Sequence, residues 1–222
     1  LNKDMIAYTN MKSYIWMGAV VVVLIALMFW GVKGTGVRNT TPTFDVGIVS
    51  ASDNVEGNAK SKVVIVEYSD FQCPACRTYY MIMKELMVQY EDRVAFVYRH
   101  FPLIEIHPNA DIAARAAQAA GKQGKFWDMH NLLFEKQDEW ASSKDPQTLF
   151  ESYATLLGIS IPQFKTDISS KEVSDFVKSQ RANAISLKLQ GTPSFFINGK
   201  QIQNPASVDA FKTIIENALK NK

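Results

Sequence analysis

Two cysteines, Cys73 and Cys76, are the residues of this sequence whose type and spacing point most directly to chemistry. They are the only cysteines among 222 residues, and they lie three apart in the string FQCPAC, residues 71–76. A disulfide framework that stabilises an exported domain would use more cysteines at wider spacing. A close C-x-x-C pair instead favours thiol–disulfide exchange, with an inert disulfide or half of a zinc site as the alternatives.

Thiol–disulfide exchange at this pair requires a helix that begins at the first cysteine. Residues i and i+3 share one side of a helix, so the two sulfurs could come within bonding distance. Cys73 would then face the unpaired N–H groups and the positive dipole end, which lower the pKa of its thiol and make it the attacking sulfur. Pro74 suits the first helical turn, because its missing N–H costs nothing there. Cys76 would be the more buried, resolving thiol.

A zinc site at the same pair would need two further ligands. With no other cysteine, these would have to be carboxylates or the histidines His100, His107 and His130, none of which has a knuckle-like spacing. For His130 we expect the role of a satisfied core group, and for Trp127 we expect packing.

Glu67 is a further candidate, because it lies in the apolar run KVVIVEY, residues 62–68, six residues before Cys73. Burial would raise the pKa of this carboxyl, so that it could exchange protons with Cys76. The alternative is a glutamate at a strand end that faces solvent, since polar Asp70 follows closely.

The elements around the pair predict an α/β fold. Residues 62–68 and 93–98 form strands, and a helix from the cysteine pair to Tyr90 joins them in a parallel β-α-β unit. A helical insertion follows at about 107–189. Apolar strings on both sides of Asn198 and Gly199 then predict a hairpin, and a terminal helix covers about 206–220. The helices expected within the insertion span 109–121, 124–139, 146–157, 161–168 and 171–189.

The N-terminal part of the sequence indicates membrane attachment. Residues 15–32 carry no charge and would span about 27 Å as a helix, close to the thickness of the hydrocarbon core. A cleaved signal peptide is one alternative, but the run is longer than the usual apolar h-region of a signal peptide and no A-x-A-like site follows. A buried core helix is the other, but every face of this helix would be apolar. We expect a single-pass anchor, a tether over residues 33–57 with room for one short edge strand, and a folded domain over 58–222.

Charge does not orient this anchor, because two basic residues precede it and two follow it: Lys3, Lys12, Lys33 and Arg38. The cysteine pair orients the anchor indirectly, because an oxidising pair is most useful outside the cytosol. We therefore expect residues 1–14 in the cytoplasm and the folded domain outside it.

Composition and charge narrow the class of protein. Hydrophobic residues make up 47% of the sequence and charged residues 21%, which is typical of a folded chain. The 24 basic and 22 acidic residues are spread along the chain and give a net charge of +2. Without a basic patch, nucleic acid is not an expected partner.

Four strings in order resemble the DsbA-like thioredoxin-fold proteins, closest to their membrane- or lipid-anchored BdbD-type branch. The first is VIVEYSDFQCPAC, residues 64–76, which resembles the family's active-site segment. The resemblance covers about residues 45–220 and implies a thioredoxin fold (β-α-β, a helical insertion, then β-β-α). The other three strings are RHFPL (99–103), KFWDMHNLLF (125–134) and GTPSFFING (191–199).

The resemblance also implies site residues. Cys73 corresponds to the nucleophile, Cys76 to the resolving cysteine and Glu67 to a buried acid of the family. Pro193 corresponds to a cis-proline that lies against the disulfide, and Thr192 to the residue whose backbone pairs with a bound peptide. An ordinary trans proline that ends a helix is the alternative at Pro193.

Ala75 departs from the pattern of the family's strongest oxidants, which have histidine beside the second cysteine. Alanine cannot support a thiolate by charge or hydrogen bonding, so we expect a less acidic Cys73 and a milder oxidant. Thr192 also resembles the disulfide-isomerase branch, which leaves the direction of exchange open.

These observations together predict an extracytoplasmic thiol–disulfide oxidoreductase that introduces disulfides into reduced exported proteins, with no bound cofactor or metal. The resemblance alone implies a quinone-linked membrane partner, similar to DsbB or to a vitamin K epoxide reductase-like protein, that reoxidises the pair. The alternatives are a disulfide reductase or isomerase, and a non-enzymatic chaperone or metal-binding module.

Overall fold

A five-stranded mixed sheet forms the centre of the fold. The computed structural model describes residues 44–221 of the chain, and the strands lie side by side in the order β1-β3-β2-β4-β5. Their bounds are β1 (Asn54–Gly57), β2 (Val64–Ser69), β3 (Ala95–His100), β4 (Ser194–Ile197) and β5 (Lys200–Gln201).

The pairing of β2 with both neighbours fixes where the site can form. β2 runs parallel to β3, with Val64 opposite Ala95 and Ser69 opposite His100, and antiparallel to β4. All six residues of β2 are buried, as expected for an apolar, β-branched strand in the middle of a sheet. The carboxyl ends of β2 and β3 therefore lie together at one edge, where the cysteine pair follows.

The hairpin between β4 and β5 turns at Asn198 and Gly199. Both residues have positive φ, 50° and 81°, which a tight type I′ turn requires. The Asn198 side chain also accepts a hydrogen bond from the Val64 backbone N–H at 2.9 Å, so the turn is tied to the start of β2.

Eight helices accompany the sheet within residues 44–221. Two of them, α1 and α8, cover one face of the sheet and bury Ile65, Phe195 and Phe211 between the layers. The helices are α1 (Pro74–Tyr90), α2 (Ala110–Gly121), α3 (Phe126–Glu135), α4 (Gln137–Trp140), α5 (Pro146–Leu156), α6 (Ile161–Ile168), α7 (Lys171–Ser186) and α8 (Val208–Lys220).

The helical insertion, α2 to α7, has a core that includes both cysteines. Phe71, Cys73 and Cys76 belong to the same buried cluster as Phe134 and Trp140 of the insertion. The cysteine pair thus lies at the junction between the sheet with its helices and the insertion.

The element order expected from the sequence is confirmed, with shifts at several boundaries. The second strand begins at Ala95, two residues later than predicted, and extends to His100. The single helix expected over 124–139 is divided at Lys136, whose φ and ψ of −103° and 20° are not helical. The helix expected to reach Leu189 ends at Ser186, because Lys188 has a φ of 58°.

One element of the predicted tether belongs to the folded domain. β1 pairs antiparallel with β3, and the Arg99 guanidinium holds the segment before it by donating to the Asp53 carboxylate and the Asp45 carbonyl. Phe44 is buried as well. The domain therefore begins before residue 58, earlier than the sequence suggested, because a buried arginine of β3 recruits this polar segment.

The predicted transmembrane helix over 15–32 and the N-terminal segment 1–14 lie outside the described residues. Among residues 44–221, no helix combines the length and apolar character needed to span a bilayer.

Candidate active site

Cys73 caps the helix that begins the site. It has extended φ and ψ of −73° and 124°, and α1 starts at Pro74 directly after it. Its backbone N–H donates to the Asp70 carbonyl at 3.1 Å, and its own carbonyl accepts from the Arg77 N–H at 3.2 Å. Both cysteines are free thiols, and Cys73 retains 8% of its surface in solvent whereas Cys76 has none. The predicted division into an accessible and a buried thiol is confirmed.

The two thiols have opposite acidities because Cys73 receives a hydrogen bond from Cys76, whereas Cys76 is buried. Donation from the Cys76 thiol, assisted by the backbone N–H groups of Cys76 and Ala75, lowers the pKa of Cys73 to about 5 despite burial. Burial raises the pKa of Cys76 well above its usual value, and the nearby charges of Cys73 and Glu67 add to this effect. At neutral pH Cys73 is a thiolate and Cys76 a thiol.

Glu67 lies under the pair in the middle of the sheet. It is 2% exposed, and desolvation raises the pKa of its carboxyl to about 8, with a smaller contribution from the Cys73 charge. The interpretation of Glu67 as a buried acid is confirmed, and the alternative of a solvent-facing residue is wrong.

Two hydroxyls accompany Glu67 that the sequence did not single out. Tyr98 lies opposite Glu67 in the β2–β3 register, and Ser69 is two residues further along β2, on the same face. Both hydroxyls are buried without a hydrogen-bond partner among the described residues. Burial raises the pKa of Tyr98 well above its usual value, and the charges of Glu67 and Cys76 add to the rise. Ser69 could have been identified from the sequence, because side chains two residues apart on a strand share a face. Tyr98 could not, because its place beside Glu67 depends on the register between β2 and β3.

The Thr192–Pro193 peptide bond is cis, as predicted, and this turn lies against the attacking cysteine. The Cys73 sulfur lies 3.6 Å from the Thr192 carbonyl oxygen. The Pro193 carbonyl accepts from the Asn204 side chain at 2.7 Å, and β4 starts at the next residue. The structure thus brings Thr192 and Pro193 to the site from 119 residues away in sequence.

Asp70 organises the turn that leads into the cysteines. Its carboxylate accepts from the Gln72 N–H at 2.7 Å and the Leu103 N–H at 2.9 Å, and His107 Nδ1 lies 2.7 Å from it. His107, which the sequence analysis named only as a possible metal ligand, therefore supports this turn. Asp70 could have been found from the sequence, because it is a polar residue only three positions before Cys73.

Two polar side chains of the site were not predicted, because they act across long sequence separations. The Gln72 side chain bridges to the insertion, where its amide accepts from the Asn109 N–H at 2.7 Å and donates to the Ala141 carbonyl at 2.8 Å. Gln137 of the insertion donates to the Phe71 and Cys73 carbonyls.

His100 and His130 serve packing and not proton transfer at neutral pH. His130 is surrounded by aromatic rings, including Tyr98 with ring centroids 4.8 Å apart, and burial lowers its pKa to about 3. Burial also lowers the pKa of His100 to about 4. In the part of the chain that the structure describes, no three His, Cys, Asp or Glu side chains gather as metal ligands.

This arrangement can carry out thiol–disulfide exchange. A partly exposed thiolate stands at a helix N-terminus, a buried thiol lies one turn below it, and a carboxyl with a pKa near neutrality lies behind the thiol. These are a nucleophile, a resolving group and a proton donor in one place.

Comparisons with known proteins agree with the geometry. A protein-family model described as Thioredoxin matches residues 50–217. A putative protein-disulfide oxidoreductase of Rickettsia felis is 33% identical over 178 residues, which cover 78% of this chain and 63% of that protein.

A second group of relatives is named differently. The Na(+)/H(+) antiporter NhaA 3 of Salinispora tropica is 36% identical over 167 residues, which cover 75% of this chain. The same match covers only 25% of the antiporter, so this chain spans about a quarter of that relative's length.

Among solved structures, the oxidised form of BdbD from Bacillus subtilis superposes with a TM-score of 0.67 at 26% sequence identity. The superposition covers 76% of this chain and 93% of that one. From the match to the family model and the superposition on BdbD, the chain belongs to the thioredoxin family, in its DsbA-like group of thiol–disulfide oxidoreductases.

Proposed function

We propose that the protein oxidises pairs of cysteines in exported proteins through its Cys73–Cys76 disulfide. A client thiolate attacks the Cys73 sulfur, which breaks the Cys73–Cys76 bond, forms a mixed disulfide and releases Cys76. A second client thiolate then attacks the client sulfur of the mixed disulfide. The client gains a disulfide, Cys73 leaves as a thiolate, and two electrons remain on the enzyme's dithiol.

The acidity of Cys73 is the single observation that carries this direction. A pKa of about 5 stabilises the thiolate, and hence the reduced form, at neutral pH. Because the reduced enzyme is then the favoured product, the oxidised enzyme tends to pass its disulfide to the client. A low pKa also makes Cys73 a good leaving group in the second step.

Glu67 supports the proton balance of this reaction. When Cys76 is released, it needs a proton, because its buried thiolate is strongly disfavoured. A carboxyl whose pKa is about 8 is largely protonated at neutral pH and can supply one. Reoxidation runs the transfer in reverse.

The turn at Thr192 and Pro193 offers a place for the client chain. Thr192 lies within contact distance of the Cys73 sulfur, where an extended client backbone could pair with its main chain. Such pairing uses backbone groups and fits clients of varied sequence.

The location outside the cytosol, the anchor over residues 15–32 and the reoxidising membrane partner complete the proposal. The uncharged N-terminal run supports the anchor. An oxidising compartment is where a disulfide donor is useful. A quinone-linked partner resembling DsbB or a vitamin K epoxide reductase-like protein would remove the two electrons from the dithiol.

Trapping of intermediates tests the roles of the two cysteines. In cells, Cys76→Ala should accumulate mixed disulfides with client proteins, because an unpaired Cys73 remains reactive and no resolving thiol follows. Cys73→Ala should accumulate none, since Cys76 is buried. Mass spectrometry of non-reducing gels identifies the linked cysteines, and trapping by Cys73→Ala alone would overturn the assignment.

The direction of exchange needs a second assay. Oxidised protein mixed with a reduced, unfolded substrate should transfer about one disulfide per molecule, whereas the reduced protein should be slow to correct a scrambled substrate. Efficient correction of the scrambled substrate would favour the isomerase alternative. Zinc and copper analysis of the purified protein addresses the binding-module alternative.

A further inference from the structure

We infer that Gln137, in the short helix α4 of the insertion, is a positioning residue for Cys73. Its side-chain amide nitrogen donates to the Phe71 carbonyl at 2.7 Å and to the Cys73 carbonyl at 3.1 Å. Both hydrogens of this amide are therefore used on the backbone of the turn that carries the nucleophile. The residue is only 4% exposed, so water does not easily replace these bonds.

The bonded carbonyls determine which way the nucleophile faces. The Cys73 carbonyl is the N-cap acceptor of α1 and already receives the Arg77 N–H. A second donor on this carbonyl fixes the rotation of the peptide that joins Cys73 to Pro74. That rotation places the Cys73 sulfur toward the N–H groups of Ala75 and Cys76, which stabilise its thiolate.

Neighbouring bonds show that the contact is part of a continuous clamp between the insertion and the turn. The Ala141 carbonyl accepts from the Gln72 side chain at 2.8 Å, and Asp138 binds Arg77 of α1 at 2.7 Å. Gln137 is the member of this clamp that touches Cys73 itself. The insertion thereby acts on the reactivity of the cysteine as well as covering it.

Gln137→Met tests the inference, because it keeps the volume of the side chain and removes the donor. The ultraviolet absorbance of the thiolate, followed against pH, should show the acid dissociation constant of Cys73 reduced about five-fold, the equivalent of one ordinary hydrogen bond. The equilibrium constant with glutathione should move by a similar factor toward a less oxidising couple, because thiolate stabilisation favours the reduced form.

Gln180→Met is the matched control. Gln180 is also a buried glutamine, but its side chain accepts from the His100 N–H at 2.7 Å and forms no hydrogen bond with either cysteine among the described residues. The control should lose stability while the pKa of Cys73 stays at the wild-type value. If both variants leave that pKa unchanged, Gln137 has only a structural role and the inference is wrong.

Folding of the variant is checked by circular dichroism. If Gln137→Met does not fold, Gln137→Ala, which leaves room for solvent, is titrated in its place. Failure of both to fold while Gln180→Met folds would also overturn the inference.

The inference rests on the proposed dithiol exchange only through the shared cysteine pair. A shifted pKa without client oxidation would contradict the proposed function and leave the role of Gln137 intact.

Discussion

Cys73 and Cys76 differ in acidity because one stands at the open end of a helix and the other lies inside the fold. The thiol of Cys76 donates to the sulfur of Cys73, so the charge on one cysteine is stabilised by the proton on the other. Burial prevents Cys76 from ionising first. The asymmetry that exchange requires therefore arises within four consecutive residues and the strand beneath them.

Removal of the Cys76 donor should make Cys73 less acidic. In Cys76→Ala we expect the pKa of Cys73 to rise by about one to two units, the equivalent of one hydrogen bond to a charged group. Cys76→Ser keeps a donor of similar size and should restore most of the shift. Thiolate absorbance against pH measures all three proteins, and an unchanged pKa in Cys76→Ala would show that the helix end alone determines the acidity.

Glu67 should make the reduced protein less stable as pH rises. Its pKa is raised on folding from 4.5 to about 8, so its contribution to stability is complete below pH 4.5 and is lost as pH rises toward 8. Glu67→Gln stays neutral at every pH. In urea unfolding of the reduced proteins, the unfolding free energy of Glu67→Gln should therefore rise relative to that of wild type by several kcal/mol between pH 4.5 and about pH 8.

The control for this comparison is Glu85→Gln, on an exposed position of α1. Its unfolding free energy should follow the wild-type pH profile. Parallel profiles for Glu67→Gln and wild type would contradict the buried, uncharged state of Glu67.

At the scale of elements, β3 holds the N-terminal segment of the domain through one ion pair. The side chains of Arg99 and Asp53 are fully buried, with Nη2 and Oδ2 2.8 Å apart, and the same guanidinium donates to the Asp45 carbonyl. The segment expected to be a loose tether is in this way attached to the sheet.

Asp53→Asn should destabilise the domain by about 3–5 kcal/mol, because it leaves the Arg99 charge buried without a counter-ion. The exposed pair between Arg93 and Glu216 provides the control. Glu216→Gln should cost under about 1 kcal/mol. Urea unfolding measures both variants, and similar small losses would mean that Arg99 is sufficiently compensated by the carbonyls around it.

Local signals predicted much of the fold and the centre of the site. β2, α1 and the β4–β5 hairpin are recognisable because apolar runs, a C-x-x-C with proline at the helix start, and Asn-Gly act over a few residues. Resemblance to a family added Thr192 and Pro193, which spacing alone would not have joined to Cys73.

Contacts between distant segments could not be predicted. β1 is only four residues, NVEG, and becomes a strand because β3 offers it a partner. Gln137 lies 64 residues from Cys73, and a glutamine on a short helix carries no signal of a role at the nucleophile. The helix break at Lys136 likewise has no proline or glycine beside it that would have predicted it.

For the whole molecule, the proposed anchor predicts where the full chain is found. The protein should remain with membranes after alkaline extraction, and an impermeant thiol reagent applied to intact cells should label reduced Cys73. Release into the soluble fraction would contradict the proposed anchor. Labelling of Cys73 only after lysis would contradict the proposed orientation.

The reduction potential of the Cys73–Cys76 couple, titrated against glutathione buffers, tests the central claim most directly. A Cys73 pKa of about 5 lies between the values of roughly 7 in thioredoxin and 3.5 in DsbA. We therefore predict a potential between about −270 mV and −120 mV, the values of those two proteins, and more reducing than DsbA, as Ala75 also suggests. A value at or above that of DsbA, or one as reducing as thioredoxin, would contradict the account of a moderate disulfide donor.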